Sequence, residues 1–126
     1  MLDSSVGRTF HDGDVIVREG SSGDNMYVVL DGRAEVLTGS QGSESRIALL
    51  ETGDFFGEMA LFDREVRSAT VRALGEVRML TVDRRTLLGR IHEDPSLAFK
   101  MLEKMSARVR NLDALVVRLR SNTAGQ

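Results

Sequence analysis

Gly53-Asp54-Phe55-Phe56-Gly57-Glu58-Met59-Ala60-Leu61-Phe62, followed after Asp63-Arg64-Glu65-Val66 by Arg67-Ser68-Ala69-Thr70-Val71, is the stretch on which fold and chemistry both turn. Three features fall close together in it. Gly57 allows backbone to approach a ligand and opens a predicted short helical turn, Glu58 to Phe62, whose leading N–H groups attract an anion. Arg67 adds a fixed cation with a planar fork that suits phosphate oxygens. Ser68 adds a hydroxyl donor beside it. Glu58 is the odd member, because a carboxylate next to an anion site is repulsive unless it has its own task. Accepting a hydrogen bond from a sugar hydroxyl is such a task, and the set then describes a ribose phosphate. The plainer alternative is an Arg67–Glu58 surface pair beside a glycine turn. Residue chemistry alone leaves the two open.

Outward from this stretch the chain divides near Asp83. Before it, short apolar or alternating runs predict strands at Val15–Val17, Met26–Leu30, Ala34–Leu37, Ile47–Leu50, Ala69–Ala73 and Arg78–Val82. Turn signals separate them: Asp12-Gly13, Gly20 to Gly23, Asp31-Gly32, Gly39 to Gly42, Gly53-Asp54 and Gly75. Short strands punctuated in this way predict a sandwich or barrel. After Asp83 the period changes. Arg84 to Ile91 reads as a short helix, and Asp94-Pro95 reads as an N-cap followed by proline at the first helical position. A long helix is predicted from Leu97 to about Arg120, with a polar, frayed end from Ser121. Along it Leu102, Met105, Val109, Leu112, Val116 and Leu119 follow steps of three and four, a heptad seam. That face either packs on its own chain or pairs two copies in a homodimer, and the run is too short to decide.

The bulk numbers narrow the function classes. The 126 residues fit one domain with one core, and 41% apolar with 29% charged residues is ordinary for a folded chain. Cysteine is absent, which excludes disulfides and thiolate chemistry. Apolar runs are too short to span a membrane, and the first eight residues do not form a secretory signal, so a cytoplasmic location is expected. Net charge is −2, divided as −7 over residues 1–83 and +5 over residues 84–126. The basic part reads as a solvated helix; it lacks the spacing or aromatic interleaving of a nucleic-acid reader.

The two blocks, Phe56 to Leu61 and Arg67 to Thr70, resemble the phosphate-binding cassette of the cyclic-nucleotide-binding domain family. That family includes the bacterial catabolite activator protein, regulatory subunits of cyclic-nucleotide-dependent kinases, and cyclic-nucleotide-gated channels. The pattern is F-G-E-hydrophobic-A-L, then R-small-A-[T/S/W] after a fixed loop. The resemblance extends to Gly13–Gly20, to Met26–Gly32 and to the helices after Asp83. It implies a mainly β fold with C-terminal helices: an eight-stranded double-stranded β-helix (jelly-roll) barrel over about 8–83, then one short and one long helix over about 84–120. The whole, 1–126, would be a single domain. It further implies that Glu58 accepts from the ribose 2′-hydroxyl, that Arg67 pairs with the phosphate oxygens, and that Ser68 donates to the same phosphate. Gly57, Met59, Ala60 and Ala69 would line the pocket, Val36 and Ile47 would form an apolar wall for the base, and Arg108 and Leu112 would belong to a lid.

The implied function is a ligand-driven conformational switch without catalytic activity, metal or cofactor, whose ligand is cyclic AMP or cyclic GMP. Leu112, apolar where an acidic lid residue would favour guanine, points to cyclic AMP. Ser68 does not discriminate. Val66 stands where relatives often have proline, which loosens the loop at Asp63 to Val66. A helix-turn-helix domain, which follows the long helix in the family's transcription factors, is not expected in this chain. Two other readings compete. A module that kept the fold and lost the ligand would serve dimerisation alone, and retention of both Glu58 and Arg67 argues against it. A cupin-type metal enzyme needs clustered histidines, whereas His11 and His92 fall in different halves.

Overall fold

The structure, a computed structural model, describes residues 7–63 and 66–124. Two compact units divide between Thr86 and Leu87. The first holds six strands: β1 (Arg8–Phe10), β2 (Val15–Val17), β3 (Met26–Thr38), β4 (Ser45–Glu51), β5 (Phe55–Phe56) and β6 (Thr70–Val82). The short helix α1 (Ala60–Asp63) lies between β5 and β6. All six strands join one antiparallel sheet in the order β1-β6-β3-β4, with β2 on β6 and β5 on β3.

This corrects the expected eight-stranded jelly-roll barrel. Among the described residues the sheet has six strands, and it stays open: β1 and β4 end its path and do not pair with each other. The reason lies in two glycine signals that do not turn the chain. Met26–Leu30 and Ala34–Leu37 form one strand running through Asp31-Gly32, and the two segments flanking Gly75 likewise merge into β6. Each merged strand is 13 residues long, and they pair with each other over most of that length. The register shifts between Val29 and Asp31 and again between Asp31 and Arg33, so bulges absorb the glycine. Gly32 has φ +104°, and a Cβ there would lie 2.7 Å from the Glu76 carbonyl oxygen. Glycine is needed at that point for close approach of two strands.

Val29, Ala34, Val71, Ala73, Val77 and Met79 form the centre of the core, contributed by β3 and β6. Full burial of such a side chain stabilises by about 1.5–3 kcal/mol for the larger ones. Ile16, Val17, Tyr27 and Val36 pack against this centre and remain partly exposed. Glu35, between Ala34 and Val36, points to the other face of the sheet by strand alternation and is only 7% exposed. Its Oε1 accepts from Arg46 Nε at 3.1 Å and its Oε2 from Arg72 Nε at 2.9 Å. One carboxylate on the central strand therefore ties β4 to β6. Burial pushes the Glu35 carboxyl up, but the hydrogen bonds and charges of Arg72 and Arg46 outweigh burial and hold it below its ordinary value of 4.5.

Helix α2 (Arg84–Glu93) begins at Asp83, whose Oδ1 accepts from the Thr86 N–H at 2.7 Å. Helix α3 (Ser96–Ala124) begins at Asp94-Pro95, as the sequence predicts: Asp94 Oδ1 accepts from the Ser96 N–H and hydroxyl. Its 29 residues exceed the predicted run, and the helix continues through Ser121 to Ala124. Leu102, Val109, Leu112, Val116 and Leu119 of its heptad seam are between 45% and 62% exposed. Among the described residues no helix is long and apolar enough to cross a membrane.

Candidate functional site

Arg67 is positioned by its backbone before its side chain. Its N–H donates to the Ser21 carbonyl at 2.8 Å, and its carbonyl accepts from the Gly20 N–H at 2.9 Å. A bridge between Ser22 and Val66 and a hydrogen bond from the Glu19 N–H to Thr70 Oγ1 extend the contact on both sides. The turn after β2 is thus fastened to the start of β6. The reading of the loop from Asp63 to Val66 falls partly outside the described residues.

The side chain then lies in a berth of backbone and one aromatic ring. Arg67 Nη2 donates to the Asn25 carbonyl at 2.8 Å. The guanidinium carbon stands 5.9 Å from the centre of the Tyr27 ring, within reach of a cation–π attraction. Tyr27 in turn stacks on Phe56, with centroids 5.0 Å apart and planes 13° from parallel. Gly57, at φ +80°, faces the guanidinium so closely that a Cβ would sit 2.6 Å from Nη1. Gly23 faces it too, with a Cβ position 2.5 Å from Nη2 and 2.9 Å from Nε. The sequence predicts Gly57 as the point of close approach; in the structure the group that approaches it is Arg67 itself.

The other residues singled out from the sequence fall as follows. Glu58 is the next residue after Gly57 and is partly buried; its carbonyl accepts from the Leu61 N–H at 3.1 Å. The predicted turn is present, since the Ala60 N–H also bonds to the Gly57 carbonyl, but the helix proper starts only at Ala60. Ala60 is buried and Met59 is 51% exposed. Ser68 is exposed and Ala69 partly buried. Val36 packs against the core centre. Ile47 is 60% exposed, at the point in β4 where Arg46 pairs with Leu37 and Ala48 with Val36, so the register slips by one residue around it. Arg108 and Leu112 lie on α3, in the second unit.

A cavity of about 470 Å³ opens beside Arg67, within the usual range for small-ligand pockets of roughly 300–1,000 Å³. Val15 to Arg18, the segment from Ser21 to Asn25, Tyr27 and Arg67 line it. Of the residues chosen from the sequence, only Arg67 reaches this cavity. Gly23, Asn25 and Tyr27 are the neighbours of Arg67 that sequence reasoning missed. Their signal was present, as a turn at Gly20 to Gly23 running directly into Met26-Tyr27, but it read as punctuation. Among the described residues no three His, Cys, Asp or Glu side chains gather where they could hold a metal ion.

An arginine fastened at both ends of its backbone and cradled by glycines has the charge and the planar fork that suit a small anion. The sequence description called cyclic nucleotide-binding domain matches residues 7–94, and the chain belongs to that family. It is 35% identical over 79 residues to the cAMP-dependent protein kinase regulatory subunit of Dictyostelium discoideum, covering 60% of this chain and 24% of that one. It is 28% identical over 102 residues to a CRP-like cAMP-activated global transcriptional regulator of Mycobacterium tuberculosis, covering 80% of this chain and 46% of that one. Among solved structures, Thermus thermophilus catabolite activator protein superposes with a TM-score of 0.78 at 30% identity, over 90% of this chain and 54% of that chain. The chain therefore spans between about a quarter and about half of these relatives' lengths.

Proposed function

We propose that the chain is a regulatory domain that binds a cyclic nucleotide, cyclic AMP ahead of cyclic GMP, with Arg67 on the cyclic phosphate and Glu58 on the ribose. The observation that carries this reading is the Arg67 guanidinium, held between Gly23 and Gly57 and so brought against the turn that carries Glu58. The Dictyostelium relative is a cAMP-dependent kinase subunit and the Mycobacterium relative a cAMP-activated regulator. Ser68 donates to the same phosphate, and Gly57, Met59, Ala60 and Ala69 meet the ligand largely through backbone. Val36 and Ile47 offer apolar surface to the base, and Arg108 and Leu112 make α3 the responding element. The two units then act as one switch, the ligand favouring whichever arrangement adds contacts to it. A cytoplasmic location goes with this reading. Tyr27 is the only tyrosine and tryptophan is absent, so the chain's intrinsic fluorescence reports directly on the ring beneath Arg67. Titration with each nucleotide is expected to give saturable changes, with cyclic AMP the tighter ligand. A tenfold or greater preference for cyclic GMP would reverse the assignment of the base.

We also propose that α3 pairs two copies of the chain along the heptad seam. Five of its six seam residues are 45% or more exposed in the single chain, which favours burial against a like helix. Sedimentation velocity is expected to give a dimer that Leu112→Glu converts to monomer. A monomeric parent chain would remove this assignment and leave the ligand site untouched.

A further inference from the structure

Gly23 carries no assigned role, and its backbone does not require glycine: unlike Gly57 at φ +80°, it does not adopt a left-handed conformation. Open space does not explain it either, because a Cβ there would meet three guanidinium atoms of Arg67 at 2.5, 2.9 and 3.0 Å. What remains is that the side chain of Arg67 needs the room. The loop carrying Gly23 is the one that supplies the Asn25 carbonyl to Nη2, and it is fastened to the Arg67 backbone through Gly20, Ser21 and Ser22. With so many anchors the loop cannot back away, so any added side chain must push the guanidinium instead.

We infer that Gly23 is a positioning residue of the ligand site: its missing side chain lets the loop from Ser21 to Asn25 close on Arg67 and aim the guanidinium at the ligand phosphate. This rests on the reading of Arg67 as the phosphate anchor. One N–H of the guanidinium is committed to the Asn25 carbonyl, which fixes the plane of the fork; the direction of the other donors follows from that plane. A methyl group at residue 23 tilts the fork and breaks that alignment, and hydrogen bonds weaken steeply with misalignment.

The test is a double-mutant cycle on the full chain, with cyclic AMP as the probe and tyrosine fluorescence and calorimetry as readouts. Gly23→Ala is expected to weaken binding by at least about tenfold, the loss of one charge-assisted hydrogen bond. In the Arg67→Ala background the same change is expected to have almost no further effect, because the group it displaces is gone. Equal effects in both backgrounds, or an unchanged affinity in the single variant, would overturn the inference. If Gly23→Ala lowers the thermal midpoint, Gly23→Ala/Arg67→Ala is expected to restore it, and failure to restore it counts against the inference too. A parent chain that binds neither cyclic AMP nor cyclic GMP would overturn the proposed function itself, and with it this inference. An Arg67→Ala variant that binds as well as the parent would overturn only the role of Arg67 and what depends on it.

Discussion

Replacing Arg67 by alanine is expected to weaken cyclic AMP binding by at least about a hundredfold, which corresponds to roughly 2.7 kcal/mol. A charge-assisted hydrogen bond contributes about 1.5–3 kcal/mol net, and a phosphate bound by the planar fork can take two. The effect on folding should be much smaller. Among the described residues the side chain donates to the Asn25 carbonyl and lies over the Tyr27 ring. The backbone hydrogen bonds of residue 67 to Ser21 and Gly20 do not depend on the side chain. Paired calorimetric titration and thermal denaturation should therefore show a large loss of affinity with a small change in midpoint. A loss of both together would assign Arg67 to the fold and not to the ligand.

The second large effect concerns stability. Glu35→Gln keeps shape but removes the charge and turns one acceptor into a donor facing an arginine. Because Arg46 and Arg72 remain about half and about one third exposed, they can regain water, so the expected cost at neutral pH is about 1–2 kcal/mol, at the lower end of the range for charged partners. The sign of the pH dependence follows from a folded carboxyl held below its ordinary value of 4.5. Such a group stabilises the fold above 4.5, and its contribution disappears as pH falls through the lower folded value. Urea midpoints of parent and variant should thus differ at pH 7 and converge on acidification below 4.5. A gap that widens as pH falls would show that Glu35 is not ionised in the fold.

How much of this was legible beforehand differs by element. Strand β2 has the same bounds in sequence and structure, and α3 begins at the predicted cap, Asp94-Pro95, because capping is a local property; the Asp83 cap of α2 was not read beforehand. Strands β1, Arg8-Thr9-Phe10, and β5, Phe55-Phe56, lack the β-branched apolar run that marks β2, Val15-Ile16-Val17. The glycines at 32 and 75 read as turns, since a sequence shows conformational permission and not whether a partner strand carries the chain straight on. Val36 and Ile47, chosen together as a wall, differ because Val36 packs on the core centre whereas β4 is exposed at every residue but Leu50, Ile47 included. Glu35 gave no sign of burial; its environment depends on two arginines, 11 and 37 residues away. The berth of Arg67 was invisible for the same reason. Its hydrogen bond to Asn25 spans 42 residues, and only the folded chain shows that Gly23 and Gly57 face one guanidinium.

The central claim is tested most directly by a crystal structure of the chain grown with cyclic AMP. The expected result places a cyclic-phosphate oxygen about 2.7–2.9 Å from an Arg67 guanidinium nitrogen, with the Glu58 carboxylate on the ribose hydroxyl. A nucleotide bound with its phosphate out of reach of Arg67 would contradict the account.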